Sequence, residues 1–106
     1  MGVIAELRIN NVLFGERVFP VCSPKLLKKK PLREPSDLRN HTLLQYDDPE
    51  ARHPWLHWKT WLEVARIPDM SPAGTLSFSG YEQIIPAAIA GHGVASSTWA
   101  REKKEK

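Results

Sequence analysis

The stretch Arg17–Leu32, RVFPVCSPKLLKKKPL, reads as a strand running into a helix. Val18, Phe19, Val21 and Cys22 form a short β-branched and aromatic run, and Ser23-Pro24 stops it. Ser23 is a natural N-cap, and Pro24 at the first helical position loses nothing by lacking an amide hydrogen. KLLKKK then predicts about two helical turns, with lysines in the last turn to complement the helix dipole. The Lys28–Lys30 run therefore needs no partner. Pro20 removes one ladder donor, which predicts that its position faces a sheet edge or a bulge.

Working outward, Pro31 and Pro35 interrupt the chain, and Ser36-Asp37 opens a single helical turn that packs Leu32 and Leu38 inward. TLLQY, Thr42–Tyr46, is a second strand, and DDPEARHP, Asp47–Pro54, is a turn-rich loop. WLHWKTWLEVARI predicts the clearest helix. Trp58, Trp61, Leu62 and Ala65 form one stripe, while His57, Lys59, Thr60 and Glu63 lie mainly off it. TLSFS alternates as a strand, and YEQIIPAAIAGHG predicts a helix closed by Gly91 or Gly93. Pro86 requires either a kink or regular turns that begin near Gln83. VAS starts a last strand, and VIAELRI near the start either pairs as a strand or simply leads in. This alternation predicts an α/β fold, a two-layer or three-layer sandwich with a mainly parallel sheet. Residues 1–12 read as a lead-in or partial crossover, 13–95 as one domain, and 96–106 as a charged, disordered tail.

A chain of 106 residues and 12.0 kDa has room for one domain with a modest core. Hydrophobic residues at 42% and charged residues at 25% are an ordinary globular balance. No apolar run approaches the ~20 residues of a membrane span. MGVIAEL lacks the pattern of a secretion signal, and a single cysteine predicts a reducing, cytoplasmic home. The pI of 9.2 hints at nucleic acid, but the placement of charge argues otherwise. The tail REKKEK holds four basic and two acidic residues, which leaves 11 basic and 10 acidic in the rest of the chain. DNA binding through Lys28–Lys30 and the tail is thus a minor rival, because no concentrated basic face is supplied.

Candidate chemistry is sparse. Cys22 lacks a neighbouring base and reads as a buried filler, with a thiol or Ser79 hydrolase as the rival reading. His53 and His57 stand four apart, but Pro54 separates them and no third ligand follows, so they read as surface or capping histidines. His92 sits in a turn, and Asp47-Asp48 is turn composition. SFSG is not a nucleophile elbow, and the glycines form no phosphate loop. Trp55, Trp58 and Trp61 could stack bases, but aromatics at helical spacing favour the core. In parallel sheets, ligands sit outside the carboxyl ends of strands. That rim would be built from Cys22-Ser23, from Gln45-Tyr46 and from Ser79-Gly80-Tyr81. Two readings stand there: helix N-termini at Ser23 and near Tyr81 hold an anionic or polar small molecule, or the helices are merely capped. No cofactor or metal is predicted.

Four segments in register resemble the effector-binding region of LysR-type transcriptional regulators. They are LFGERVFPVCSPKLL, LREPSDLRNHTLLQYDD, WLHWKTWLEVARIP and GTLSFSGYEQIIPAAIAGHGVA, spanning Leu13 to Ala95. The tryptophan-rich helix resembles the branch that includes regulators of glycine cleavage and of β-lactamase induction. The resemblance implies a fold like one subdomain of a type 2 periplasmic binding protein. Full regulators of this kind carry a winged helix-turn-helix and two such subdomains joined by two crossing strands, with a small organic acid or amino acid held between them. This chain would be the second subdomain, non-enzymatic and free of membrane, touching DNA only through a helix-turn-helix it lacks. Cleft positions of the family map onto Ser23, Tyr46, Ser79, Gly80 and Tyr81. The regulatory regions pair antiparallel, which implies a homo-oligomer, and a dimerisation module without ligand binding is the alternative function. SSTWAREKKEK and MGVIAELRINN depart from the family pattern and read as a natural truncation, an excised piece or an altered terminus.

Overall fold

The computed structural model describes residues 5–7 and 9–98. Six strands, β1 Ala5–Glu6, β2 Asn11–Leu13, β3 Glu16–Cys22, β4 Thr42–Tyr46, β5 Gly74–Phe78 and β6 Ala95–Ser97, alternate with three helices. The helices are α1 Pro24–Lys29, α2 Trp58–Val64 and α3 Ile84–Ile89, and single 3-10 segments cover Pro35–Asn40, Pro54–Leu56 and Tyr81–Gln83.

β3 is the hub. It pairs antiparallel with β1, β2 and β6, while β4 and β5 pair in parallel. A parallel bridge between Leu43 and Val94 joins the two groups, through Leu44 N–H to Val94 O (2.8 Å) and Val94 N–H to Thr42 O (2.9 Å). The α/β character holds, with a mixed sheet: β6, β4 and β5 run parallel and β3 runs against them. Gly93 is needed at this junction, because a Cβ there would stand 2.5 Å from the Thr42 carbonyl oxygen.

Strand alternation sends neighbours to opposite faces. Val18, Cys22, Leu43 and Val94 meet Trp58, Trp61 and Leu62 on one face. Val21, Leu44 and Ala95 meet Ile84 and Ala88 on the other. The sheet is therefore covered on both sides, the three-layer form. Trp61 and Trp58 keep their indole N–H groups satisfied inside, on Val18 O and Leu44 O, each at 3.1 Å. Those two tryptophans are core.

Local signals explain most boundaries. Ser23 Oγ accepts from Lys25 N–H (3.2 Å), so it caps α1. α3 begins at Ile84, which leaves Pro86 in its first turn, and Gly91 at φ 90 closes it. Gly91 N–H reaches Ala88 O and His92 N–H reaches Ala87 O, both at 3.0 Å, a Schellman ending. α2 closes the same way, but with Arg66 at φ 69 where glycine is usual.

Two expectations are corrected. Pro20 is not at a sheet edge: it lies level with Ser96 inside β3. Its carbonyl accepts from Leu7 N–H (3.1 Å), so its missing donor falls on the β1 side, where pairing is only two residues long. The domain boundary drawn after Ala95 also moves. Ser96 and Ser97 continue β6, and Ser96, Ser97 and Thr98 are buried. The remainder of that tail lies outside the described residues.

Candidate functional site

β4 and β5 end together. Tyr46 pairs with Phe78, and Asp47 N–H donates to Phe78 O (2.9 Å), so the reversals at 47–53 and 79–81 rise from one margin. The Tyr46 and Tyr81 rings meet edge-on with centroids 5.8 Å apart. His53 stands 5.7 Å from the Tyr46 ring and 5.5 Å from that of Trp55. The Tyr81 hydroxyl donates to Ser96 O (3.0 Å), tying the margin to β6. Between these elements opens a cleft of about 330 Å³, lined by His53, Trp55, Leu56, Tyr81, Ile85 and Ser97 among others. An apolar wall with a few polar groups is the usual make-up of a small-molecule site.

A buried carboxylate underlies the His53 wall. The Asp48 side chain is 1% exposed. It accepts the backbone N–H groups of Arg52 (3.0 Å) and His53 (2.8 Å), and contacts His53 Nδ1 (3.2 Å) and His57 Nε2 (3.0 Å). Desolvation pushes the carboxyl up, but the hydrogen bonds from His53, Arg52 and His57 outweigh it and hold the pKa down to about 2. Asp48 is therefore an anion at neutral pH. The loop around it is wound tightly, with Asp48 at φ 49 and Ala51 at φ 53. Left-handed backbone at non-glycine residues costs on the order of 1 kcal/mol each, and the carboxylate's bonds hold it in place. Gln45 adds a further tie, its Oε1 accepting Trp58 N–H (3.3 Å) at the start of α2.

The structure brings together four of the five residues singled out from the sequence. Tyr46, Ser79, Gly80 and Tyr81 share the β4/β5 margin. Ser23 does not join them. β3 is antiparallel to β6, and Val21 pairs with Ala95, so Ser23 falls level with Gly93, beside the beginning of β4. Tyr46 lies four residues further along, roughly 13 Å away along the strand direction. The two helix N-termini therefore do not converge, and each is capped from within: Ser23 Oγ on Lys25 N–H, and Gln83 Oε1 on Gly80 N–H (3.3 Å). Of the two readings of those termini, the capping one is observed.

Other candidates settle more simply. Cys22 is fully buried, which pushes its thiol up to about 11, far from a thiolate nucleophile. Lys28–Lys30 are exposed, and Lys28 and Lys29 close α1. Trp55 differs from its two neighbours in being half-buried at the cleft. His53 and His57 hold the N-cap positions of the Pro54–Leu56 segment and of α2, as capping histidines, and both rings also rest on Asp48; the spacing of an aspartate five and nine residues before them was the signal for that contact. Among the described residues, no group of three His, Cys, Asp or Glu could hold a metal ion. A wider groove of about 470 Å³ lies elsewhere, between Arg39 and Arg66, and opens broadly to solvent.

The family model for the LysR substrate-binding domain matches residues 9–97. The chain belongs to the LysR substrate-binding domain family. It is 38% identical, over 84 residues, to the glycine cleavage system transcriptional activator of Escherichia coli K12, and equally to those of strains O6:H1 and O157:H7. The match covers 78% of this chain and 26% of the relative, so the chain spans about a quarter of the length of these activators. No solved structure gives a significant match. Among the described residues no helix is long and apolar enough to cross a membrane.

Proposed function

We propose that the chain is the second effector-binding subdomain of a cytoplasmic LysR-type transcriptional regulator, and that it senses a small organic acid or amino acid. Tyr46, Ser79, Gly80 and Tyr81 line or flank the ligand face, with His53 and Trp55 added to them. The observation that carries this is the cleft at the shared end of β4, β5 and β6, built on a stapled loop. The antiparallel β3–β6 pair suits two strands that enter and leave the subdomain. In a longer parent, ligand held between two subdomains would favour one angle between them and so alter how a dimer or tetramer lies on DNA bound by a separate helix-turn-helix. A ligand biases such an equilibrium only by its differential affinity for the two arrangements. In this reading the role is non-enzymatic, and the burial and raised pKa of Cys22 weigh against the rival in which it is a nucleophile.

One subdomain supplies only part of such a site, so binding by this chain alone is in the millimolar range or weaker. Calorimetry against a panel of small acids and amino acids tests this, and micromolar affinity for any of them would contradict the half-site reading. A second reading, a dimerisation module, draws on the exposed apolar side chains of Val12, Phe14, Val64 and Leu76. Sedimentation at high concentration decides it: a clean 12 kDa monomer removes this reading.

A further inference from the structure

A second depression lies at the opposite end of the parallel pair. β4 and β5 run the same way, and residues shortly before each of them, 36–39 and 66–71, wall the open groove of about 470 Å³. The two walls are tied to each other by Ala73 N–H on His41 O (3.0 Å). Each is also fixed from within. Asp37 accepts the backbone N–H groups of Arg33 (2.9 Å) and Glu34 (3.2 Å). The other wall is wound on Ile67 N–H to Leu62 O (2.9 Å) and Met70 N–H to Ile67 O (3.1 Å). Ile67 and Met70 pack half-buried against the core and, with Pro68, give the groove an apolar lining.

Two guanidinium groups stand on this frame. Arg39 donates its Nε–H to Ser36 O (3.2 Å), which sets the fork's orientation and leaves its terminal nitrogens outward. Among the described residues those nitrogens, and the whole Arg66 guanidinium, bond no protein group. The Asp37 carboxylate is taken by backbone, and Asp69 lines the groove without pairing with either arginine. Arg66 also sits at φ 69, where glycine would close the helix with less strain, so this side chain is kept against the preference of its backbone. Two unpaired forks beside an apolar lining are suited to carboxylates that flank an apolar side chain. A single carboxylate on one exposed fork gains little against water and salt, whereas a chain segment that engages both forks at once adds their contributions. Duplex DNA suits the groove less, because its phosphates would meet Asp69 and no further basic residue lines it.

We propose that the Arg39–Arg66 groove docks an acidic peptide segment of a partner protein, its carboxylates on the two guanidinium forks and an apolar side chain on Ile67, Pro68 and Met70. The inference stands apart from the effector-cleft reading and needs nothing from it.

The probe is the capped peptide acetyl-Glu-Leu-Glu-Leu-Glu-amide, with Gln and Lys in place of Glu as its neutral and cationic counterparts and a short random DNA duplex as the competing polyanion. The readout is NMR of the amide, arginine Nε and methionine methyl signals of the intact chain at low and physiological salt. The acidic peptide should shift the Arg39 and Arg66 Nε signals and the Met70 methyl, more tightly at low salt, while the Trp55 indole stays still. The Gln and Lys peptides should move neither arginine. Arg66→Gly removes one fork and relieves the left-handed strain. It should bind the acidic peptide about tenfold more weakly yet melt at a higher temperature, which separates a lost contact from a lost fold. Arg39→Gln should weaken binding by a similar factor, and Arg66→Lys, with charge but no fork, should keep only part of the affinity. Equal binding of the Glu and Gln peptides, or unchanged affinity in both Arg66→Gly and Arg39→Gln, overturns the inference. A duplex that binds the groove more tightly than the acidic peptide overturns it in favour of nucleic acid, and absence of any groove shift overturns it outright; each of these leaves the cleft standing.

Discussion

The indole N–H of Trp61 donates to the carbonyl of Val18, 43 residues away in the chain, at 3.1 Å. That bond pins α2 across β3, and Trp61 is fully buried against the same face. Trp61→Phe removes the donor, leaves a buried carbonyl without this partner and opens a small void. It should cost about 2 kcal/mol, seen as a lower urea midpoint with unchanged slope. Wild-type stability in that variant would show that the tryptophan does not lock the layers.

Two turns carry residues poorly suited to their backbone. Arg66 closes α2 at φ 69, and Phe14, 68% exposed, sits at φ 53 before Gly15 at φ 80 in the two-residue turn between β2 and β3. Arg66→Gly and Phe14→Asn relieve left-handed strain without losing burial, and each should raise stability by about 0.5–1 kcal/mol. Thermal melts of the single variants and their pair check this, and near-additive gains are expected because the sites are separate.

Acid should weaken the protein in two steps with different owners. His41 is 2% exposed, and among the described residues neither ring nitrogen has a partner at full hydrogen-bond geometry, the Lys30 and Pro31 backbone offering only weak contacts. Burial lowers its pKa below the ordinary 6.5, so the unfolded chain takes up the proton first. Its contribution is intact above pH 6.5 and declines as pH falls below it. Asp48, held down to about 2 from an ordinary 3.8, keeps its contribution above pH 3.8 and loses it as pH falls toward 2. His41→Leu should flatten the decline that begins below pH 6.5 and leave the lower step, whereas Asp48→Asn should remove the lower step and reduce stability at neutral pH.

The burial of Cys22 predicts slow chemistry. With its thiol raised to about 11 and no exposed surface, alkylation at pH 7.5 should proceed only on unfolding and accelerate with urea. A rapid reaction in the native state would reopen the nucleophile.

Much of the fold was legible because local chemistry and tertiary packing agree. Ser23-Pro24 caps α1, the Trp58–Trp61–Leu62 stripe faces the core, and Gly91 ends α3. Strand direction was not legible. Whether β3 runs with or against β4 depends on which strand it meets, and it meets β6 antiparallel, which carries Ser23 to the far margin. Pro20 shows the same limit, since a two-residue partner strand is what tolerates it. That Tyr46 and Ser79–Tyr81 share one margin could be read from strand ends alone. Asp48, His53 and His57 could not, because turn composition conceals a carboxylate that the folded loop buries under two imidazoles.

The location of ligand contact tests the account most directly. A two-dimensional amide and methyl NMR map of the intact chain titrated with benzoate should place the shifts at His53, Trp55, Tyr81 and Ser97. Shifts gathered instead at Ser23 and Lys25, or in the groove between Arg39 and Arg66, would contradict it.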